Sequence, residues 1–162
     1  MSNKNIALLF LAILFIQLLV INLVNVVMYI GLLKGWTFII FTIVQVTLIL
    51  LIRKFGKKRS LIVANIAGLI LLPILFIASL PAYTYEGAKD IIYDIHGENA
   101  EIVAHDYENV PVDSSSSWFV IDYHYYYEVI TDDNHIFIAI DPVTGTTTEL
   151  EEDFYDFPYE TQ

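Results

Sequence analysis

Histidine, serine and carboxylate side chains are the candidate catalytic or metal-binding groups in this 162-residue chain, which contains no cysteine. The lack of cysteine excludes disulfides, thiol nucleophiles and cysteine-ligated zinc. The sequence also has no HExxH, GxSxG or phosphate-binding glycine loop. The four serines at 114–117 follow Pro111 in a polar stretch, where nothing presents one of them as a nucleophile. We therefore predict a protein that is not an enzyme, with no catalytic residue and no cofactor.

A divalent cation is the ligand that the remaining groups suggest. His124, Asp122 and Asp141 are expected on one face of a sheet, and one imidazole with two carboxylates has the donor types for weak cation binding. The competing interpretation is that a half-buried sheet places polar residues toward water. The acidic C-terminal residues lack the spacing of an EF-hand. We assign no metal ligand, and a weak site around His124 and Asp141 stays an open alternative.

Charge divides the chain into two halves. Residues 1–80 hold seven of the eight Lys and Arg residues and none of the nineteen Asp and Glu residues. Residues 81–162 hold one Lys and all nineteen acids, so the halves carry +7 and −18. A nucleic-acid partner is not indicated, because the basic residues lie in an apolar half. We predict a transmembrane region at 1–80, an α+β domain at 81–152 and an acidic, aromatic tail at 153–162.

Three uncharged apolar segments, at 6–30, 36–52 and 61–80, are long enough to cross a membrane. The first is too long for a signal peptide, and no small-residue cleavage site follows it. Five Lys and Arg residues lie at 53–60, between the second and third segments, and short basic loops stay in the cytoplasm. We predict a multi-pass cell-membrane protein with a cytoplasmic N-terminus and an extracytoplasmic acidic half.

Uncharged polar residues occur within these segments. Gln17, Asn22 and Asn25 fall on one side of the first helix, while Gln45 and Asn65 lie in the second and third. Amides at membrane depth usually form interhelical hydrogen bonds, whereas a transport path is expected to show ionisable groups, which these segments lack. We predict that the amides join the helices and that Gly68 permits close packing.

The acidic half has the periodicities of one helix and several strands. Thr84 and Gly97 bracket a helix at 85–95, whose apolar stripe is Ala88, Ile91, Ile92 and Ile95. Strands are expected at 100–107, 118–131, 135–141 and 146–152, with a polar loop at 108–117 and a turn at 141–145. The predicted fold is a membrane region of three transmembrane helices plus a small α+β domain. In that domain one helix covers an antiparallel sheet of three or four strands.

The register of the central hairpin follows from its alternating side chains. Pairing positions that sum to 265 places Val129 opposite Ile136, Tyr127 opposite Ile138 and Tyr125 opposite Ile140. One face is then wholly apolar, and a slip of one residue would destroy it. The same register places His124 opposite Asp141 and assigns Tyr126 to the polar face.

This half resembles the PepSY domain family over about 84–151. The residues that carry the resemblance are Tyr127, Glu128 and Val129 in one strand and Asp141, Thr144 and Gly145 in the next turn. The resemblance implies a non-catalytic module, of the kind found in metalloprotease propeptides and in bacterial membrane-anchored proteins. Such modules are thought to inhibit or regulate proteases or to sense at the cell surface.

From these patterns we predict a membrane-anchored regulatory protein that binds or modulates a protein or peptide, a protease among the candidates, at the outer membrane face. The alternative is a cation- or envelope-sensing accessory subunit of a membrane complex. The partner is expected to be an extracytoplasmic or membrane protein, and the sequence indicates neither its identity nor the oligomeric state. The aromatic tail either covers its own sheet or docks on that partner.

Overall fold

The computed structural model describes residues 2–103, 109–112, 120, 122–131 and 134–155. Within these residues the helices are α1 (Asn3–Tyr29), α2 (Gly35–Phe55), α3 (Arg59–Ser79) and α4 (Tyr85–His96). The strands are β1 (Glu101–Val103), β2 (Asn109–Pro111), β3 (Tyr123–Ile130), β4 (His135–Ile140) and β5 (Thr147–Leu150). The chain forms two compact units, Met1–Val26 with Leu33–Leu80, and Val27–Leu32 with Pro81–Gln162.

The helices α1, α2 and α3 are each long and apolar enough to span a membrane, as predicted for the three segments of residues 1–80. Each helix includes polar residues beyond the predicted apolar segment, such as Asn3 before the first and Arg53 after the second. Large apolar side chains such as Phe15 and Ile77 are exposed on the helix surfaces. Such a surface is what the hydrocarbon of a bilayer requires.

Buried amides connect the transmembrane helices, as predicted. Gln45 of α2 donates from Nε2 to the carbonyl oxygen of Asn65 in α3 at 2.8 Å. Gln17 of α1 donates from Nε2 to the carbonyl oxygen of Leu69 in α3, also at 2.8 Å. Gly68 faces Gln45 so closely that a Cβ atom there would lie 2.2 Å from its Oε1. A larger residue at this position would therefore displace the end of the Gln45 side chain.

The other two amides of α1 do not follow the prediction of a shared contact with one neighbouring helix. The Asn25 Oδ1 accepts a hydrogen bond from the backbone N–H of Leu33 at 2.9 Å, so this side chain stabilises the chain that follows α1. Asn22 is exposed. Both line a cavity of about 380 Å³ between α1 and α2, together with Thr42. The angular position of an amide on its helix therefore did not determine its partner.

Helix α4 has the predicted caps. The Thr84 Oγ1 accepts from the Gly87 N–H at 3.0 Å, and the Gly97 N–H donates to the Tyr93 carbonyl at 2.9 Å. Ala88 and Ile92 are fully buried, but Ile95 is 56% exposed. The predicted stripe is therefore wrong at its C-terminal end, because the helix ends at His96 and no further turn covers Ile95.

The five described strands form one antiparallel sheet in the order β1-β3-β4-β5, and β2 pairs with β3 as well. The hairpin register is confirmed, with Val129 opposite Ile136, Tyr127 opposite Ile138 and Tyr125 opposite Ile140. The sheet has one strand more than predicted, since Asn109–Pro111 pairs with β3 where a loop was expected. Pro111 is tolerated because it ends an edge strand, where its missing N–H costs no ladder bond.

Side chains cover both faces of the sheet. On the face toward α4, Tyr127 is stacked against Tyr85 with ring centroids 4.8 Å apart. On the other face, Val110, Tyr126 and Ala139 form a buried cluster against which four further side chains pack, namely Phe137, Leu150, Phe154 and Tyr155. The assignment of Tyr126 to a solvated face is therefore wrong, and its side chain is 0% exposed. Its cover comes partly from the start of the tail, whose residues 156–162 lie outside the described residues.

Candidate functional site

Of the three residues considered for a weak cation site, Asp141 has a structural task, and His124 lies near it. Asp141 follows β4, and its Oδ1 accepts from the Val143 N–H at 2.8 Å while Oδ2 accepts from the Thr144 hydroxyl at 2.7 Å. His124 pairs with Val110 of β2 on one edge of β3, and on the other edge the β3–β4 ladder ends at the Tyr125–Ile140 pair. Asp122 is exposed. Among the described residues, no group of three His, Asp or Glu side chains has a geometry that would hold a metal ion.

The electrostatics of Asp141 agree with this structural task. Burial acts to raise the pKa of its carboxyl, but hydrogen bonds from Thr144 and Val143, together with the nearby His124, outweigh burial and hold the pKa below its ordinary value. The ionised carboxylate is thus the form that the turn requires.

The turn after β4 fixes the segment that enters α4. Gly145 has φ +74°, and a Cβ atom there would lie 2.7 Å from the ring of Tyr83. The Tyr83 N–H donates to the Pro142 carbonyl at 3.1 Å, which joins the two segments through their backbones. Glycine is therefore required at this position for two reasons, the positive φ angle and the close approach of the Tyr83 ring.

Two tyrosines of β3 also bind the segment that enters α4, through their hydroxyl groups. The hydroxyl of Tyr125 donates to the Tyr83 carbonyl at 3.0 Å, and that of Tyr127 donates to the Tyr85 carbonyl at 2.6 Å. Burial raises the pKa of Tyr125 far above its ordinary value, so this hydroxyl stays a donor. The residues that carry the PepSY resemblance thus include several that position α4.

The outward side of α4 presents the most distinctive surface of the domain. Asp90, Asp94 and Glu98 recur every four residues and therefore lie along one side of the helix and the turn after it. Together with Tyr93 they line a depression of about 390 Å³. We call these four residues the acidic face.

The acidic face continues into the turn between α4 and β1. Glu98 also lines a second depression, of about 430 Å³, which includes His96, Asn99 and Thr131. Carboxylate, amide, imidazole and hydroxyl groups therefore adjoin along one surface that can accept and donate hydrogen bonds.

Lysine and arginine from the same half do not neutralise this surface. Lys89 is the only Lys or Arg in residues 81–162. Its ammonium contacts both carboxylate oxygens of Glu86, at 2.8 and 2.9 Å, and lies 5.3 Å from the centre of the Tyr85 ring. Asp90, Asp94 and Glu98 must consequently take any Lys or Arg partner from outside this half of the chain.

Analysis of the sequence missed the acidic face, although its signal was present. The apolar stripe alone predicts the helix, and the Asp90–Asp94–Glu98 spacing marks its opposite side. The four-residue period of these acids is visible in the sequence, whereas the engagement of Lys89 with Glu86 requires coordinates.

Comparison with known proteins adds no relative: no family model, no curated protein and no solved structure matches this chain. The class that the fold defines is a three-helix membrane protein with a small acidic α+β domain. The PepSY resemblance stays a prediction.

Proposed function

We propose that the protein is a non-enzymatic membrane protein whose acidic domain binds and modulates a basic segment of a protein or peptide at the outer membrane face. The observation that carries the proposal is the acidic face, whose carboxylates have no Lys or Arg of their own half available. Complementary charge speeds association and selects among partners, and it acts over about 8 Å at physiological salt.

Tyr93 gives the acidic face a contact that charge alone does not provide. Tyr93 lines the same depression as the three acidic residues and is partly exposed. An exposed tyrosine offers apolar area, a polar end and a ring face on which an arginine or lysine can rest. A segment with Lys or Arg at helical or extended spacing therefore fits this surface better than an acidic or purely apolar segment.

The proposed location rests on the charges of the membrane region. The five Lys and Arg residues at 53–60 lie around the α2–α3 turn, and such short basic loops favour the cytoplasmic side. With three spanning helices, the chain after α3 then lies on the opposite side. The PepSY resemblance supports the same kind of role, a non-catalytic module at the cell surface that regulates a protein such as a protease.

The alternative of a cation-sensing subunit receives less support. A cation site requires several ligands, and among the described residues no group of three His, Asp or Glu side chains could hold a metal ion. Binding of a protein or peptide makes no such demand.

Crosslinking in native membranes tests the proposal. A photo-reactive phenylalanine derivative in place of Tyr93 in the full-length chain should capture a discrete protein. Adding Asp90→Asn, Asp94→Asn and Glu98→Gln should reduce the capture at least tenfold, since each charge pair at an interface contributes about 1 kcal/mol or more. Neutralising three exposed acids elsewhere, Glu149, Glu151 and Glu152, is the matched control and should leave capture near the original level. Equal losses in the two triple variants, or no adduct at position 93, would contradict the proposal.

A further inference from the structure

The unit that contains the transmembrane helices has a second charged surface, at the end where α1 begins and α2 ends. Lys4 lies in the first turn of α1, and Arg53 and Lys54 lie in the last turn of α2. Gly56 lies close to Asn3, because a Cβ atom at Gly56 would be 3.5 Å from the side-chain nitrogen of Asn3. Six of the seven Lys and Arg residues of this half therefore belong to one end of the helices.

A narrow apolar groove between α1 and α2 leads away from this end. Its α1 side consists of Lys4, Ala7, Leu8 and Leu11, and its α2 side of Val46, Ile49, Leu50 and Arg53. Both sides follow the i, i+3, i+4, i+7 pattern of a single helix stripe. Because the two helices run in opposite directions here, the cation that starts one stripe and the cation that ends the other lie at the same end of the groove.

The groove is long and narrow. Its volume is about 110 Å³, which only part of one acyl chain could occupy, and seven residues of helix extend for about 10 Å. Ala7 is a small, buried residue of its lining, while Leu8, Leu11 and Leu50 are exposed and form apolar sides. The groove thus has cations at one end, apolar walls along its length and an opening toward the surroundings of the helices.

The cations at the mouth have no acidic partner in their own half, since residues 1–80 contain no Asp or Glu. The helix dipole is positive at the nearby N-termini of α1 and α3, and only the C-terminus of α2 offers these cations a partial negative charge. Lys and Arg side chains at helix ends reach the membrane interface, where a counter-charge can pair with them. An anionic lipid headgroup supplies this counter-charge at the depth where the helices end.

We infer that this groove binds one phospholipid with an anionic headgroup, whose phosphate lies between Lys4 and Arg53 and whose acyl chain lies along Ala7, Leu11, Val46 and Leu50. The charge complementarity and the continuous apolar walls specify an amphipathic anion, and the bilayer around the helices is its source. This inference is independent of the acidic domain and of its partner.

Native mass spectrometry of the full-length protein tests the inference. The protein is extracted from nanodiscs of equimolar phosphatidylglycerol and phosphatidylcholine, and the ratio of the two retained phospholipids is measured. The original chain should retain phosphatidylglycerol preferentially. Lys4→Gln with Arg53→Gln should reduce this preference about fivefold for each charge removed, the scale on which one Lys or Arg contributes at an anionic membrane surface.

Two controls separate a defined site from diffuse attraction. Lys57→Gln with Lys58→Gln removes the same charge outside the groove and should leave the preference nearly unchanged. Ala7→Leu fills the groove without changing any charge and should abolish the preference, whereas Ala12→Leu, at an exposed position of α1, should preserve it.

The same measurements name the results that overturn the inference. Equal loss in the two charge variants would show that attraction is diffuse. An unchanged preference in Ala7→Leu would show that the groove holds no acyl chain. A dimer that Ala7→Leu dissociates would show that a second copy of the chain occupies the groove instead.

Discussion

At the scale of single residues, Asp141 is a carboxylate that could have been a metal ligand but that stabilises a turn. Its two oxygens accept hydrogen bonds from Val143 and Thr144, and the resulting turn keeps Gly145 against Tyr83. The sequence identified the turn and the nearness of His124, since both follow from local spacing and register. The sequence did not show that both carboxylate oxygens accept hydrogen bonds, because one of these bonds depends on the orientation of the Thr144 hydroxyl.

The first prediction concerns Asp141→Asn. The substitution keeps an acceptor for the Val143 N–H and loses the charged acceptor of the Thr144 hydroxyl, so the domain should be destabilised by about 1 kcal/mol at pH 7. The folded pKa of Asp141 lies below its unfolded value, so its contribution is full above the unfolded value of about 3.9 and is lost as the pH falls through the folded pKa. The stability difference between the two proteins should therefore shrink below about pH 4. Denaturant unfolding at several pH values measures it, and a difference that grows toward low pH would contradict this role.

At the scale of elements, the tail has a defined task on its own sheet. The Tyr126 hydroxyl donates to Asp153 Oδ1 at 2.5 Å, and the Tyr155 hydroxyl donates to the carbonyl of Asn109 in β2. The sequence leaves open whether the tail covers its own sheet or docks on a partner. For Asp153–Tyr155 the structure shows the first, so cutting the chain after Glu152 should weaken the fold.

The second prediction follows from this packing. Phe154→Ala with Tyr155→Ala removes two half-buried rings from the cluster around Tyr126. We expect a loss of about 2–4 kcal/mol in the free energy of unfolding, less than the sum for two fully buried aromatic residues. Val143→Ala, at an exposed apolar position, serves as control and should change stability by less than about 0.5 kcal/mol. Unchanged unfolding of the double variant would show that the tail does not stabilise the sheet.

The elements that were predicted correctly are those with a strong period or a cap. The three apolar helices, α4 between Thr84 and Gly97, and the β3–β4 register all follow from patterns within about ten to thirty neighbouring residues. Strand β2 could not be predicted in this way, because three residues that end in proline are too few to show a periodic pattern. They also pair with residues farther along the chain. The packing of the tail over Tyr126 could not be predicted for the same reason, since Tyr126 and its hydrogen-bond partner Asp153 are 27 positions apart.

The third prediction concerns the contact between α2 and α3. Gly68→Ala places a Cβ atom 2.2 Å from Gln45 Oε1, so the end of the Gln45 side chain has to shift, and we expect this shift to weaken the hydrogen bond from its Nε2 to the Asn65 carbonyl. The expected cost is about 0.6–2 kcal/mol, the range for interhelical hydrogen bonds in membranes. The control is Ala67→Val, which changes an exposed neighbouring residue and should lower the free energy of unfolding much less. Thermal unfolding of the detergent-solubilised chain distinguishes the two, and equal midpoints would contradict the importance of this contact.

At the scale of the whole molecule, the separation of charge is the dominant feature. A half with +7 contains the spanning helices, and a half with −18 contains the sheet and α4. Repulsion among so many acids opposes compaction of the second half, so its buried tyrosines and capped helix must more than offset it. A basic partner bound to the acidic face would relieve part of this repulsion and should therefore raise the thermal stability of the domain.

The most direct test of the account is the side of the membrane on which the acidic half lies. The chain contains no cysteine, so single cysteines at Asn99, an exposed position after α4, and at Lys57, in the α2–α3 turn, report without background. In intact cells, or in protoplasts if a wall blocks access, an impermeant maleimide should label position 99 at once and position 57 only after the membrane is permeabilised. Labelling of position 57 alone in intact cells would place the acidic face inside and would contradict the proposed function.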